Sequence, residues 1–148
     1  MEGIGLLGAL GIGGSFGLSA IGAALAMAAS GPAVIGSWKK CYLQNKPAPF
    51  ILAVFAGTSL SNVIYGFIIM GALANGDLAA AGAEGPLFAL GMGSGLCIGA
   101  VAVTQAMCSA AAADAYAETG KGFGNFLMVI GIAETVSLFA MVFTLLFA

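Results

Sequence analysis

Four long apolar stretches, separated by short polar interruptions, divide the chain. Gly3 to Trp38 carries no charge, nor do Phe50 to Asn75 or Gly85 to Ala113, and Gly122 to Ala148 carries one, Glu134. Each stretch exceeds the roughly 20 residues with which a helix crosses a hydrocarbon core about 30 Å thick. The stretches are uniformly apolar, without the alternation that barrel strands require. The pattern predicts an all-α membrane protein with four transmembrane helices. The first stretch is not an ordinary signal peptide: it lacks a basic start, and its apolar part is too long.

The interruptions set the topology. Residues 37–49 carry Lys39, Lys40 and Lys46, residues 76–84 carry Asp77 and Glu84, and residues 114–121 carry Asp114, Glu118 and Lys121. All four lysines fall in the first and third interruptions, which lie on one side if four helices alternate. The positive-inside bias assigns that side to the cytoplasm, with both termini and the second loop opposite. Gln44 and the charged loop residues read as solvated at headgroup level, with docking of a cytoplasmic partner as the other use for them. No loop is long enough for a catalytic domain. Gly120-Lys121-Gly122 lacks the upstream Gly and the following Ser or Thr of a phosphate loop, so the chain does not hydrolyse nucleotide by itself.

Composition narrows the function classes. The chain is 61% hydrophobic and 7% charged, with a mean hydropathy of +1.09. Soluble domains carry about 25% charged residues. A soluble enzyme is excluded, as is a nucleic-acid binder, which needs clustered Lys and Arg. Histidine is absent, which removes the imidazole base and the His metal site. Cys41, Cys97 and Cys108 lack ligand spacing and read as packing residues.

The chain also reads as one hairpin written twice, residues 1–76 and 77–148. At a shift of 80 residues, nine of 26 positions in the first and third stretches are identical, Gly5/Gly85, Gly11/Gly91, Gly13/Gly93 and Met27/Met107 among them; roughly three would be expected by composition. The second and fourth stretches align more weakly at a shift of 74, with Gly57 on Gly131 and Tyr65 on Phe139. Gln105 and Glu134 lie equally far from the middle of the third loop, so an antiparallel hairpin brings them to similar depth. Their counterparts in the first half are Leu25 and Leu60. One hairpin carries a polar pair at depth and the other has leucine in both places, as expected of a duplication that lost one site.

Glu134 is the one ionisable residue inside any apolar stretch, close to the bilayer centre. A charge there costs on the order of 2.5–3.5 kcal/mol on insertion scales. Such a carboxyl stays protonated or takes a cation, and either amounts to reversible binding of H⁺ or a metal cation in mid-membrane. The plainer alternative is a protonated carboxyl that bonds neighbouring helices. Gln105 brings an amide to the same depth, as a cation ligand or as a donor to the carboxylate, and Thr135 offers a hydroxyl. Thr58, Ser61 or Asn62, and Tyr65 recur at three- and four-residue steps and share a helix face. If that face meets Glu134, the site gathers several oxygens, a set suited to a hard monovalent cation. Gly91, Gly95 and Gly99 form a small-xxx-small ladder, and glycines crowd the first helix. They allow close backbone approach, read here as an inner ring of helices whose neighbours come from other copies of the chain.

These features together resemble the proteolipid of the vacuolar- and archaeal-type (V-type) rotary ATPases, the duplicated membrane-rotor component known as c or K. The likeness rests on the glycine-rich first and third helices, Tyr65-Gly66-Phe67, Gln105 and Ala133-Glu134-Thr135. It implies a homo-oligomeric ring in the lipid membrane, turning against a stator membrane subunit (a or I) and coupled to a cytoplasmic central-stalk subunit (d- or C-type) through loops 37–49 and 114–121. Glu134 would be the essential ion-binding carboxylate, with no cofactor beyond the transported H⁺ or Na⁺. In sodium-transporting members the site resembles Glu134 and Gln105 together with positions 58, 61, 62 and 65, where this chain has Thr58, Ser61, Asn62 and Tyr65. The expected location is a plasma membrane of prokaryotic type. A four-helix proton-coupled drug exporter is the alternative, and needs an aromatic-lined cavity near the carboxyl. A structural pore is another, and leaves Glu134 without a role.

Overall fold

The computed structural model describes residues 4–148; residues 1–3, the start of the first hairpin as read above, lie outside the described residues. Regular structure among the described residues is helical throughout: α1 (Leu6–Leu43), α2 (Leu52–Gly57), a 3₁₀ turn (Thr58–Leu60), α3 (Ser61–Asn75), α4 (Asp77–Ala80), α5 (Glu84–Thr119) and α6 (Phe123–Leu146). The segments from α2 to α4 run on as one stretch, Leu52–Ala80, so four helices are long and apolar enough to cross a membrane.

Two of them are longer than a crossing needs. At 1.5 Å per residue, the 38 residues of α1 span about 57 Å and the 36 of α5 about 54 Å, against a core of about 30 Å. Both helices continue into residues that the charge pattern assigns to loops. The reason is local: Lys39 and Lys40, and the alanines around Asp114, favour helix, and nothing stops α1 before Asn45, at φ +52°, and the prolines that follow. At α5 the stop is Gly120, left-handed at φ +63°, whose N–H bonds the Tyr116 carbonyl at 2.8 Å. With Gly122 at φ +85°, Gly120-Lys121-Gly122 makes the sharp reversal between α5 and α6 that glycine permits without strain. Lys40 bonds Glu118 and, at 3.4 Å, Asp114, so the ends of α1 and α5 that bear these charges lie together.

The glycines explain the close centre of the bundle. A Cβ on Gly91 would fall on the Gly11 carbonyl oxygen, one on Gly95 would lie 2.5 Å from the Gly14 carbonyl oxygen, and one on Gly99 would lie 2.7 Å from that of Leu18. The ladder thus packs on α1 of its own chain. This corrects the expectation that other copies supply its neighbours: backbone already occupies the space a side chain would need. Gly13, Gly17 and Gly93 would meet nothing within 4 Å. The α2–α3 stretch and α6 lie outside this pair, and α6 exposes Ile132, Val136, Phe139 and Phe143.

Candidate functional site

Glu134 is the twelfth of the 24 residues of α6, about 17 Å along the axis from its first residue. Its side chain is half-buried and turned from the apolar outer face of α6 towards α3 and α5. The Tyr65 hydroxyl lies 2.7 Å from Oε1, and Gln105 Nε2 lies 3.5 Å from Oε2. Gln105 comes from α5, so the two residues that the hairpin register puts at one depth also approach each other.

Behind the carboxyl lies a buried amide pair. Asn62 Nδ2 donates to Gln105 Oε1 at 2.8 Å and to the Ser59 carbonyl at 3.3 Å, and the Ser137 hydroxyl donates to Asn62 Oδ1 at 2.5 Å. Asn62, Gln105 and Ser137 have no solvent exposure. One backbone group sets the polarity of the whole chain of bonds. The Ser59 carbonyl only accepts, so it holds the nitrogen side of the Asn62 amide. That nitrogen then faces the Gln105 oxygen, and the Gln105 nitrogen faces Glu134. Turning over the Gln105 amide would set donor against donor at Asn62, and turning Asn62 as well would set oxygen against oxygen at Ser59. A buried polar group left unpaired costs about 1–3 kcal/mol, so both reversals are disfavoured.

The remaining sequence candidates fall elsewhere. Ser61 Oγ bonds the Thr58 carbonyl at 3.4 Å, and Thr58 Oγ1 pairs with Ser109 Oγ at 2.7 Å, while Thr135 is exposed and bonds the Ile132 carbonyl in its own helix. The shared face expected of Thr58, Ser61, Asn62 and Tyr65 does not form as one site, since only Tyr65 touches the carboxyl and Asn62 stands one partner behind it. The 3₁₀ turn at Thr58–Leu60 is the physical reason. A residue there advances about 120° rather than about 100°, so positions before and after the turn leave the register of a continuous α-helix. Ser59, Ser109 and Ser137 join the site without having been expected there. Ser137 lies three residues beyond Glu134, a spacing that puts both on one face and is a signal visible in the sequence. Ser59 and Ser109 carry none beyond being polar.

Chemically, the site can hold a proton on a defined oxygen. Gln105 Nε2 has hydrogens and no lone pair to offer, so a protonated carboxyl finds no acceptor on that side. A tyrosine hydroxyl both donates and accepts, and so can serve Oε1 in either charge state. Among the described residues no group of three or more His, Cys, Asp or Glu could hold a metal ion.

No curated protein matches the chain. The family model for the ATP synthase C subunit matches residues 88–147, a span of 60 residues that takes in Gln105, Glu134 and Ser137 and leaves out Asn62 and Tyr65. The part of this chain similar to the ATP synthase C subunit is therefore the hairpin that carries the mid-membrane carboxyl.

Proposed function

We propose that the chain is a rotor-ring proteolipid of a V-type rotary ATPase, in which Glu134 carries H⁺ through the membrane and past a stator subunit. The match of the second hairpin to the ATP synthase C subunit supports the proteolipid reading. The chain is about twice the length of that match and has one carboxyl for its four membrane-length helices, which supports the duplicated, V-type form. The proteolipid is not itself catalytic; ATP hydrolysis belongs to other parts of such a complex. Copies would form a ring, with the lysine-bearing ends on the cytoplasmic side, within reach of a central stalk.

The observation that carries the choice of ion is the direction of the bonds around Glu134. Both groups within reach of the carboxyl present hydrogens, Tyr65 by O–H and Gln105 by N–H. A sodium ion needs oxygens. The Gln105 oxygen is engaged by Asn62, the Asn62 oxygen by Ser137, and the Ser61 hydroxyl bonds backbone. A proton needs one acceptor, and Tyr65 is 2.7 Å away.

The resulting cycle is short. In the ring, neutral Glu134 holds its proton on Oε1, donated to the Tyr65 oxygen, while Oε2 accepts from Gln105. No net charge then faces the lipid, which avoids the cost of about 2.5–3.5 kcal/mol or more for a bare charge at that depth. Opposite the stator the proton leaves, the Tyr65 hydroxyl turns to donate, and the carboxylate gains a charge-assisted bond of about 1.5–3 kcal/mol. Reprotonation reverses the turn.

The test is Glu134→Gln in the assembled complex. Proton pumping should fall to background while the ring still assembles; ATP-driven pumping that persists would overturn the assignment. Carbodiimide, which modifies protonated carboxyls, should label one residue per chain, and the label should map to Glu134.

A further inference from the structure

We propose that copies of this chain join head to tail through an apolar replica of the Glu134 site, Leu25 and Leu60 of one copy packing on Val136 and Phe139 of the next. The proposal rests on the ring reading above and adds the register and the residues.

It starts from the repeat. At shifts of 80 and 74, Gln105 corresponds to Leu25, Glu134 to Leu60, Asn62 to Val136 and Tyr65 to Phe139. Within one chain, hairpin one supplies Asn62 and Tyr65, and hairpin two supplies Gln105 and Glu134. Repeating that relation once more lets hairpin two supply Val136 and Phe139, and requires a further hairpin one, from a second copy, to supply Leu25 and Leu60.

The exposures fit this one-step displacement. Leu25, Leu60, Val136 and Phe139 are exposed to 58%, 60%, 48% and 60%, while Gln105 and Asn62 have no exposure. The correspondence extends along the helices. Phe55, Asn62 and Ile69 are buried against the rest of the chain, and their counterparts Val129, Val136 and Phe143 are bare. Each hairpin is covered on one side and uncovered on the other, and the two uncovered sides are the two halves of the interface already present between the hairpins. A contact that continues this interface is heterologous and closes into a ring when its rotation divides a full turn.

The chemistry of the substitutions agrees. Val is close to Asn in size, Phe to Tyr, and Leu to Gln and Glu. The replica can therefore pack in the same way with every donor and acceptor removed, leaving no buried polar group to satisfy. Ion-binding and sealed positions would alternate around the ring, the sealed ones lying between copies.

The experiment uses the full chain in its membrane, with Cys41, Cys97 and Cys108 replaced by alanine. Leu60→Cys with Phe139→Cys is treated with a short bismaleimide, since a Glu and a Tyr side chain fill the template gap and a direct disulfide would not span it. Leu25→Cys with Val136→Cys is the second pair, in case the first disturbs folding. The expected result is conversion of the single monomer band into a ladder of multimers for both pairs, and no ladder for Leu60→Cys with Leu146→Cys. Lysine-reactive cross-linking of the same membranes separates the two ways of failing. Multimers by lysine with no ladder at either cysteine pair would overturn this register and leave the ring reading standing, whereas monomer under both chemistries would overturn both.

Discussion

The Tyr65 hydroxyl stands 2.7 Å from Glu134 Oε1, on α3 and α6 respectively, and joins the outer helices of the two hairpins at the middle of α6. Tyr65 gives the carboxyl a partner whether the proton is present or absent, because the direction of the bond reverses with the charge. Gln105, on the other oxygen, can only donate.

Tyr65→Phe removes that reversible partner and leaves the ring packing intact. Losing a bond worth about 1.5 kcal/mol in the charged intermediate should slow proton transfer roughly tenfold. Turnover in proteoliposomes, with carbodiimide labelling of Glu134 retained, measures this. Native turnover would mean that the proton does not pass on the Tyr65 side.

Sodium should not compete with protonation. At fixed pH, adding Na⁺ should leave the rate of carbodiimide labelling at Glu134 unchanged, because no free oxygen faces the carboxyl. Labelling slowed by Na⁺, with K⁺ as the control for ionic strength, would show that the cation binds there.

Asn62→Val cuts the link through which the Ser59 carbonyl orients Gln105. The Ser137 hydroxyl and the Gln105 oxygen lose their partner, at about 1–3 kcal/mol for a buried group left unsatisfied, and the Gln105 amide becomes free to turn its oxygen to Glu134. Stability to denaturing detergent should fall, and Na⁺ protection of Glu134 should appear. Unchanged labelling in Na⁺ would mean that the amide orientation is held by something other than Asn62.

Gly91→Ala and Gly93→Ala form a matched pair on α5. At Gly91 the new methyl would land on the Gly11 carbonyl, while at Gly93 it meets nothing within 4 Å. The first should cost roughly 3 kcal/mol or prevent assembly, since a backbone atom cannot move aside as a side chain can. The second should be neutral or stabilising by up to about 1 kcal/mol. Detergent unfolding of both variants reads the difference, and equal effects would contradict the close α1–α5 contact.

Much of the architecture is legible along the chain. Uncharged runs mark helices that span a membrane because the cost of a charge in lipid applies residue by residue, and Glu134 stands out for the same reason. The equal depth of Gln105 and Glu134 follows from counting along two antiparallel helices at 1.5 Å per residue. What such counting misses is helix ends and helix rotation. Lys40, Asp114 and Glu118 read as loop residues if charge is taken to end the helix, yet Lys and the alanines keep it going outside the lipid. Ser61 and Thr58 read as ligands if α-helical spacing is carried through a segment that winds as 3₁₀.

The order of the amino acids therefore dictates how many helices cross the membrane, at what depth the acid lies and which amide lies level with it, because depth is a one-dimensional quantity that adds up along the chain. Three-dimensional packing was needed to establish that Tyr65 rather than Ser61 meets the acid, that Ser137 completes the amide chain, and that the Gln105 nitrogen, not its oxygen, faces Glu134. Those depend on the rotation of each helix about its own axis and on a single carbonyl, that of Ser59, which accepts hydrogen bonds and cannot donate them. Rotation is set by contacts between segments far apart in the chain, and no local pattern records it.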